Sequence, residues 1–369
     1  MSMRIAHLTS VHPRDDVRIF LKECQSLVRL GYDVHLVVAD GLGDSVQSAV
    51  HVHDVGKPRG RLSRVFQVTS RVLRQALALD ADVYHLHDPE LLLICRALKR
   101  RGKKVIFDAH EDVPKQILGK HYLPVPVRAA IAWSFARFEN YVCTRLDGVI
   151  AATPTIREKF KAIQAHVVDV NNYPILGELD PPAEAGPRGK VVCYVGNIAA
   201  IRGIQEMVQA MALTRSGARL DLVGEFSELT TLQEVRRHEG WHRVRQCGVL
   251  DRSGVRDVLA HARAGLVTLH PAPNYVEALP IKMFEYMAAG VPVVASNFPL
   301  WMDIVEGAKC GVCVDPLDPA KIAEAIDQFV TQPEMGQEMG RNGRLAVLSR
   351  YNWAQEEQKL DQFYRRLCA

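Results

Sequence analysis

The sequence lacks the features that define several large classes of protein. No apolar run approaches the roughly 20 residues that a membrane-spanning helix needs, and the first residues contain no apolar signal core. With 48% hydrophobic and 24% charged residues, the composition also lacks the bias of disordered and coiled-coil chains. We therefore expect a globular, cytoplasmic protein.

Cofactor and metal motifs are also missing. There is no G-x-G-x-x-G fingerprint and no Walker A sequence, which argues against a dehydrogenase and against a P-loop enzyme. The one close cysteine pair, Cys310 and Cys313, has no second ligand pair at zinc spacing. A net charge of +4 is too small to indicate nucleic acid. We expect reduced thiols, no metal and no cofactor.

What is present is an alternation of strands and helices that runs through the chain twice. Continuous apolar strands separated by helices are typical of a doubly wound parallel sheet. In the first half the predicted strands are 4–9, 33–39, 83–86, 104–109, 148–152 and 167–170, with helices near 17–30, 61–79, 89–101, 126–146 and 154–164. In the second half they are 191–195, 220–223, 244–247, 265–269, 291–295 and 311–314, with helices near 203–213, 227–239, 252–262, 280–289, 318–330 and 335–368.

The two halves are separated by a proline-rich segment. Residues 171–189 contain four prolines and no periodicity, which is typical of a linker. We predict an N-terminal domain of residues 1–172, a linker of 173–189, a second domain of 190–348, and a terminal helix of 349–369 that returns to the first domain. Ligands of such sheets bind at the carboxyl ends of the strands.

The strongest local motif runs from Tyr275 to Ala295 and reads as loop, helix, glycine stop and buried strand. Pro280 suits the first helical position, and the amides near 279–283 are predicted to be free at a helix start that favours an anion. Lys282 would lie in that first turn, where a bound phosphate would stabilise it. Glu277 and Glu285 supply acceptor oxygens suited to hydroxyl-rich ligands.

A second candidate anion site begins the second domain. Gly196 and Asn197 follow its first predicted strand, and Arg202 precedes its first predicted helix. This is the phosphate-binding position of a doubly wound domain, and an arginine can hold two phosphate oxygens through its planar fork.

Together these motifs resemble the retaining GT-B glycosyltransferases of family GT4. The resemblance rests on Glu277-x7-Glu285 followed by Met-Ala-Ala-Gly-Val-Pro-Val-Val-Ala, and it extends over nearly the whole chain. It implies an α/β protein of the GT-B fold, with two Rossmann-like doubly wound domains facing a cleft. The family's Gly-Arg-x4-Lys-Gly pattern falls on Gly196-Asn197-x4-Arg202-Gly203, so one phosphate cation is kept and the other is replaced by Asn197.

The resemblance also implies roles for individual residues. Glu277 would contact the donor sugar, Glu285 the nucleotide ribose, and Arg202 the diphosphate, with His110 as the active-site histidine at a strand end. The amides around Leu279 to Lys282 would hold the diphosphate, and the donor-binding residues of this segment are Leu279, Pro280, Ile281 and Lys282. Acceptor-side candidates are Arg14, Asp16, Arg18, His87 and Glu111, although the loop at 10–18 departs from the family's paired glycines.

The chemistry implied is transfer of a hexose-type sugar from a nucleotide-diphosphate donor, UDP first and GDP second, to a glycan or lipid-linked acceptor in surface polysaccharide synthesis. Arg202, Lys282 and the helix dipole could stabilise the leaving phosphate without a metal. The alternatives are a non-catalytic sugar-binding protein on a GT-B frame, a nucleotide-sugar epimerase and an oxidoreductase.

One helix predicts a further partner. Residues 56–79 contain no acidic residue, and apolar positions recur there at helical spacing among arginines. A basic amphipathic helix can lie on anionic lipid, so residues 57–79 are a candidate membrane surface at the inner face of the plasma membrane. The alternative is a helix that packs its apolar stripe on the sheet.

Overall fold

The computed structural model describes residues 2–60, 63–120, 123–182 and 186–368. The chain divides into two compact units, Met1–Asn172 with Gln355–Ala369, and Tyr173–Ala354. Each unit is a parallel sheet between layers of helices, because its strands are apolar on both faces and need cover on both.

The sheet of the first unit has eight strands in the order β3-β4-β2-β1-β5-β6-β7-β8. Described pairs are parallel except β3 with β4, a short antiparallel pair that the sequence did not predict. The strands are β1 (Arg4–Leu8), β2 (Asp33–Val38), β3 (Ser45–Gln47), β4 (Val50–Asp54), β5 (Val83–Leu86), β6 (Lys104–Ala109), β7 (Gly148–Ala151) and β8 (Val167–Asp169).

The helices of the first unit begin with a π-helical stretch, Val17–Cys24, that continues as an α-helix over Gln25–Arg29. The predicted helix at 126–146 is found at Val125–Cys143, and a short helix, Val113–Leu118, precedes it without having been predicted. The remaining helices are Arg64–Val68 with Thr69–Leu79, Pro89–Ile94 with Cys95–Lys99, Pro154–Lys161 and the terminal Trp353–Cys368.

The candidate membrane helix at 57–79 packs its apolar stripe inward. Val68, Val72 and Ala76 are buried in the core of the unit, whereas Phe66 is 65% exposed. Arg64 forms an ion pair with Glu90 at 2.8 Å. Arg61 and Leu62 lie outside the described residues. The stripe that motivated the membrane hypothesis therefore stabilises the sheet, which is the alternative reading of this helix.

The second unit has six parallel strands in the order β11-β10-β9-β12-β13-β14. They are β9 (Val191–Val195), β10 (Arg219–Val223), β11 (Val244–Gly248), β12 (Ala264–Val267), β13 (Val293–Ser296) and β14 (Gly311–Val314). The helices are Ile204–Leu213, Leu229–Arg236, Arg252–His261, Ile281–Ala288, Pro299–Val305, Pro319–Thr331 and Pro333–Ser349, with 3₁₀ turns at Ala200–Arg202 and Glu239–Arg243. The helix Pro299–Val305 was not predicted.

The segment predicted as a linker is packed into this second unit. Tyr173 and Leu179 are buried in its core, and Arg344 donates to Asp180 at 2.8 Å. Residues 183–185 of that segment lie outside the described residues. The seven cysteines whose side chains the structure describes are free thiols, most of them buried. Among the described helices none is long and apolar enough to cross a membrane.

The strand order fixes where ligands can bind. Each sheet contains two adjacent strands from which the following strands of the chain are added on opposite sides. They are β1 and β5 in the first unit, and β9 and β12 in the second. At such switch points the connecting loops diverge and leave a crevice at the carboxyl ends of the strands. The loops after these four strands carry most of the residues discussed next.

Candidate functional site

In the second unit two glycines let the chain turn sharply after β9. Gly196 has φ +123° and Gly203 has φ +79°, values that side chains rarely adopt. A Cβ at Gly203 would lie 2.0 Å from the Thr268 carbonyl oxygen, and one at Gly196 would lie 3.1 Å from Lys282 Nζ. Glycine is thus required at 203 by close approach of the backbone, and it is favoured at 196 by the positive φ.

Lys282 is buried at this point and its ammonium group is unpaired. Nζ lies 3.5 Å from the centre of the Tyr194 ring, and within the described residues it has no hydrogen-bond partner. Burial lowers the pKa of Lys282 well below its usual value, and repulsion from Arg202 lowers it further. A cation–π contact compensates only part of the cost of burying a charge, so a bound anion would stabilise the ammonium group here.

Arg202 supplies a second cation close by. It ends the 3₁₀ turn Ala200–Arg202, is half-buried, and lies close enough to lower the pKa of Lys282 by repulsion. Burial raises the pKa of Tyr194 to about 12, an effect that the Arg202 guanidinium opposes. Arg202, Lys282 and Tyr194 therefore meet at the carboxyl end of β9.

The helix at Lys282 starts one residue later than predicted. It spans Ile281–Ala288, so Pro280 is its N-cap rather than its first residue. The Met283 amide donates to the Pro280 carbonyl at 3.0 Å, which corrects the prediction that amides as far as 283 are free. The preceding loop is held by Trp301, whose indole N–H donates to Ala278 at 2.7 Å. Half-buried Leu279 packs against the core.

The two glutamates of the motif differ in their surroundings. Glu285 is buried, and Arg252 donates to its Oε1 at 2.7 Å. The other nitrogens of Arg252 hold Glu178 at 2.6 and 2.8 Å. Glu277 is half-buried in the loop before the helix. Sequence reasoning missed Arg252, because its partners lie 33 and 74 positions away and no local pattern marks it.

Asn197 shapes the loop after β9. Its side-chain oxygen accepts from Ser227 Oγ at 2.7 Å and its carbonyl accepts from the Tyr194 hydroxyl at 2.7 Å. Beside it lies a pocket of about 350 Å³ at the carboxyl ends of β9, β10 and β11. Its walls are Val195, Gly196, Asn197, Val223, Gly224, Glu225, Val249, Leu250 and Val255.

In the first unit a paired cation occupies the corresponding strand ends. Arg18 is buried and makes two hydrogen bonds to Asp108, at 2.8 and 2.7 Å, and a third to the Val170 carbonyl at 2.7 Å. Its Nε also lies 3.1 Å from Glu23. Although burial opposes ionisation, Arg18 holds the pKa of Asp108 well below its usual value. Arg18 is thus a structural anchor at the centre of this site.

His110 is oriented by the same carboxylate. Its Nε2 lies 2.9 Å from Asp108 Oδ2 and 3.2 Å from His87 Nδ1. Its side chain is 18% exposed, whereas those of His87 and Asp108 are fully buried. Nδ1 is therefore the ring nitrogen left for a ligand. Burial lowers the pKa of His87 to about 4, so that ring is neutral.

His12 belongs to this group, although sequence reasoning did not select it. Its Nδ1 lies 3.2 Å from Asp16 and its Nε2 3.5 Å from Asp88. Burial opposes protonation, but these carboxylates raise the pKa of His12. Asp16 caps the following helix by accepting from the amides of Arg18 and Ile19. The available signal was position, since His12 lies in the loop directly after β1.

Two predicted acceptor-side residues lie apart from this group. Arg14 makes hydrogen bonds of 2.7 Å to each oxygen of Asp40 and also binds the Gly43 carbonyl, so it holds a neighbouring loop. Glu111 is exposed and accepts a hydrogen bond from Gln116. The structure brings Asp16, Arg18, His87 and His110 together, but not these two.

The fold also assembles a histidine-rich cluster that no local motif in the sequence predicts. His7, Glu23, His85 and His87 offer ligand atoms within 4.8 Å of one another, and all four are buried. However, His7 Nδ1 is bonded to His87 Nε2 at 2.9 Å and His85 Nδ1 to the Tyr364 hydroxyl at 2.8 Å. Arg18 lies beside Glu23, and the rings of His7 and His85 each stack on the ring of His87.

Comparison with known proteins places the chain in a family. Residues 178–346 match the family described as Glycosyl transferases group 1, and residues 18–171 match the Glycosyl transferase 4-like domain. Together the matches span most of both units. The chain belongs to the group 1 glycosyltransferases.

Individual relatives are similar over part of their length. The chain is 28% identical over 164 residues to a glycogen synthase of Mycobacterium tuberculosis, covering 43% of this chain and 38% of that protein. It is 30% identical over 208 residues to a GDP-mannose-dependent alpha-(1-6)-phosphatidylinositol monomannoside mannosyltransferase of the same species, covering 50% and 52%. The chain thus spans about half or less of these two relatives.

A solved structure matches the whole chain. Sucrose-phosphate synthase from Thermosynechococcus elongatus superposes with a TM-score of 0.81 at 19% identity, covering 99% of each chain. At this identity the likeness shows the fold, which is GT-B with two Rossmann-like units, as predicted.

Proposed function

We propose that this protein is a glycosyltransferase that moves a hexose-type sugar from a nucleoside-diphosphate donor to a glycan or lipid-linked acceptor in surface polysaccharide synthesis. The observation that carries the proposal is the buried, unpaired ammonium of Lys282 beside Arg202 at a strand switch point. A diphosphate would satisfy both cations in a site that otherwise leaves one charge uncompensated.

In this proposal, different residues of the second unit bind different parts of the donor. The pocket beside Gly196 and Asn197 takes the base, Glu285 holds the ribose, and Glu277 contacts the hydroxyls of the sugar. The diphosphate lies against Lys282, Arg202 and the start of the helix at Ile281. Arg252 positions Glu285 by occupying one of its carboxylate oxygens.

The chemistry follows from where charge develops. Departure of the nucleoside diphosphate makes the sugar cationic and the leaving oxygen more negative, and the two preorganised cations stabilise that negative charge. We propose retention, in which the acceptor attacks from the leaving-group side and the leaving phosphate oxygen accepts its proton. His110, oriented by Asp108, orients the donor, and no divalent metal is needed.

UDP is our first choice of donor nucleotide and GDP the second. UDP is supported by a protein of similar fold from Anabaena, whose structure is a complex with UDP-glucose. GDP is supported by the mannosyltransferase relative, which is named as GDP-mannose-dependent. We place the reaction in the cytoplasm or at the inner face of the plasma membrane.

A thermal-shift panel of UDP, GDP, CMP and NAD, each with and without EDTA, tests the proposal. A ligand at 100 times its dissociation constant stabilises the folded protein by about 2.7 kcal/mol, which gives a visible shift. We expect a shift with one nucleoside diphosphate that persists in EDTA. A shift confined to NAD would contradict the proposal, and a shift abolished by EDTA would contradict metal independence. The anomeric configuration of the transferred sugar, read by NMR, tests retention.

A further inference from the structure

The start of the helix Val125–Cys143 exposes more apolar surface than a packed domain helix should. Residues 124–127, 129–131, 133 and 134 are exposed, and most of them are apolar. Trp133 is 67% exposed and Val125 is 64% exposed, with Val127 and Ile131 also exposed. Exposed apolar patches of this kind mark interaction surfaces. We call residues 124–134 the α-tip.

The rest of the helix explains why only its start is uncovered. Glu139 and Cys143, in the second half of the helix, are buried and face the unit, and Lys159 forms an ion pair with Glu139 at 2.7 Å. The short helix Val113–Leu118 packs beside it, and Leu118 at its end is exposed as well. The second half of the helix is therefore an ordinary packed element, and the α-tip is a separate feature at its beginning.

The sequence around the α-tip carries only positive charges, which favours an anionic partner. Between residues 113 and 138 there is no aspartate or glutamate, and the cations are Lys115, Lys120, Arg128 and Arg137. A tryptophan among aliphatic side chains suits the interfacial region of a bilayer, and the basic residues suit anionic headgroups. A second copy of this chain meeting the same surface about a two-fold axis would instead oppose like charges.

We propose that the α-tip docks the first unit on an anionic phospholipid bilayer. Val127, Ile131 and Trp133 enter the headgroup boundary, while exposed Arg137 contacts lipid phosphates. This surface is distinct from the basic helix at 57–79, whose apolar stripe is buried. The docking needs no nucleotide, so its failure and the failure of the proposed transfer are distinguishable.

Sedimentation with vesicles of phosphatidylcholine alone, or mixed with phosphatidylglycerol, measures the docking at low salt. We expect binding only to the mixed vesicles. Trp133→Glu should weaken the partition coefficient more than about tenfold. Arg137→Gln should weaken it about fivefold, the effect of one cation near the surface. Because these side chains are largely on the surface, unchanged melting temperatures would show that the fold is intact.

The matched control is Phe66→Glu, because Phe66 is 65% exposed on the other candidate helix. We expect this variant to bind like the wild type. Loss of binding in Phe66→Glu but not in Trp133→Glu would overturn the proposal in favour of that helix. Failure of the wild type to bind mixed vesicles would overturn it outright, as would lipid-free dimerisation that Trp133→Glu abolishes.

Tryptophan fluorescence gives an independent readout. Trp301 and Trp353 are buried and Trp241 packs against the core, which leaves Trp133 as the exposed one of the four. Vesicle binding should shift the emission to the blue in the wild type. Trp133→Phe should still sediment but lose the shift. A shift that persists in this variant would overturn insertion of the α-tip.

Discussion

The two units each bury a cation at the strand ends, and the two cations differ in one respect. Arg18 makes hydrogen bonds to a carboxylate and a carbonyl, whereas within the described residues Lys282 has only an aromatic ring. A buried charge whose partners belong to the chain is satisfied within the fold, whereas a buried charge without them would be stabilised by a bound anion. The hydrogen-bond partners, rather than burial, therefore distinguish the two cations.

We expect the largest effect from acid, which should destabilise the first unit more than the second. Burial lowers the pKa of His7 and His85 well below the usual value and that of His87 to about 4. The unfolded chain takes up protons on these rings near pH 6.5 and the folded chain does not, so stability is lost as the pH falls from about 6.5 towards 4. The loss is about 1.4 kcal/mol per histidine per pH unit.

Hydrogen exchange at a series of pH values measures that loss unit by unit. Protection should fall first in β1 and β5, which contain His7 and His85 and end beside His87, and later in β9 and β12. Equal loss of protection in both units would remove the distinction between them.

Arg18→Met should destabilise the first unit by about 3–5 kcal/mol, because Asp108 would remain buried without its cation. Chemical denaturation followed by circular dichroism gives the free energy of unfolding. The companion variant Arg14→Met, at a less buried ion pair with Asp40, should cost less. A reversed order would argue that Asp108 does not depend on Arg18.

Lys282→Met should affect activity rather than stability. Removing a buried, unpaired ammonium should leave the free energy of unfolding unchanged or raise it. It should also reduce kcat/KM for transfer about 100- to 1000-fold, since one charge-stabilising donor is lost. Steady-state kinetics and thermal melts on the same preparation check both parts. A variant that melts much earlier would show that Lys282 has a structural partner.

Asn197→Arg should give the smallest effect. It introduces the cation that the resemblance leads one to expect at that position, on an exposed loop where such pairs contribute up to about 1 kcal/mol. Binding of UDP or GDP, measured by titration calorimetry, should tighten up to about fivefold. Asn197→Lys is the matched comparison. Weaker binding in both variants would show that the hydrogen bond from Ser227 matters more than the added charge.

The fold could be predicted where local pattern decides it. The strands β5, β6, β9 and β14 have the bounds predicted from their apolar runs. The pair β3 and β4 was missed because it is short and half polar. The helix Val113–Leu118 was missed because it has less than two turns of pattern.

Single residues of the candidate site could be selected from local patterns, but the contacts among them could not. The motif around Lys282 is local, so its helix was predicted and its two glutamates were selected as candidates. The bond between His7 and His87 joins positions 80 apart, and sheet order alone brings them together. Burial of Lys282 is likewise a property of the folded crevice, which no spacing along the chain encodes.

The terminal helix has a consequence for synthesis of the protein. Tyr364 is fully buried in the first unit with its hydroxyl on His85, and Glu356 accepts from the Asn171 amide at 2.7 Å. These contacts form only after every residue of the second unit has left the ribosome. Domains usually fold in the order in which they are made. Here the unit that is translated first is completed last. The second unit can fold before the terminal helix of the first unit has been synthesised.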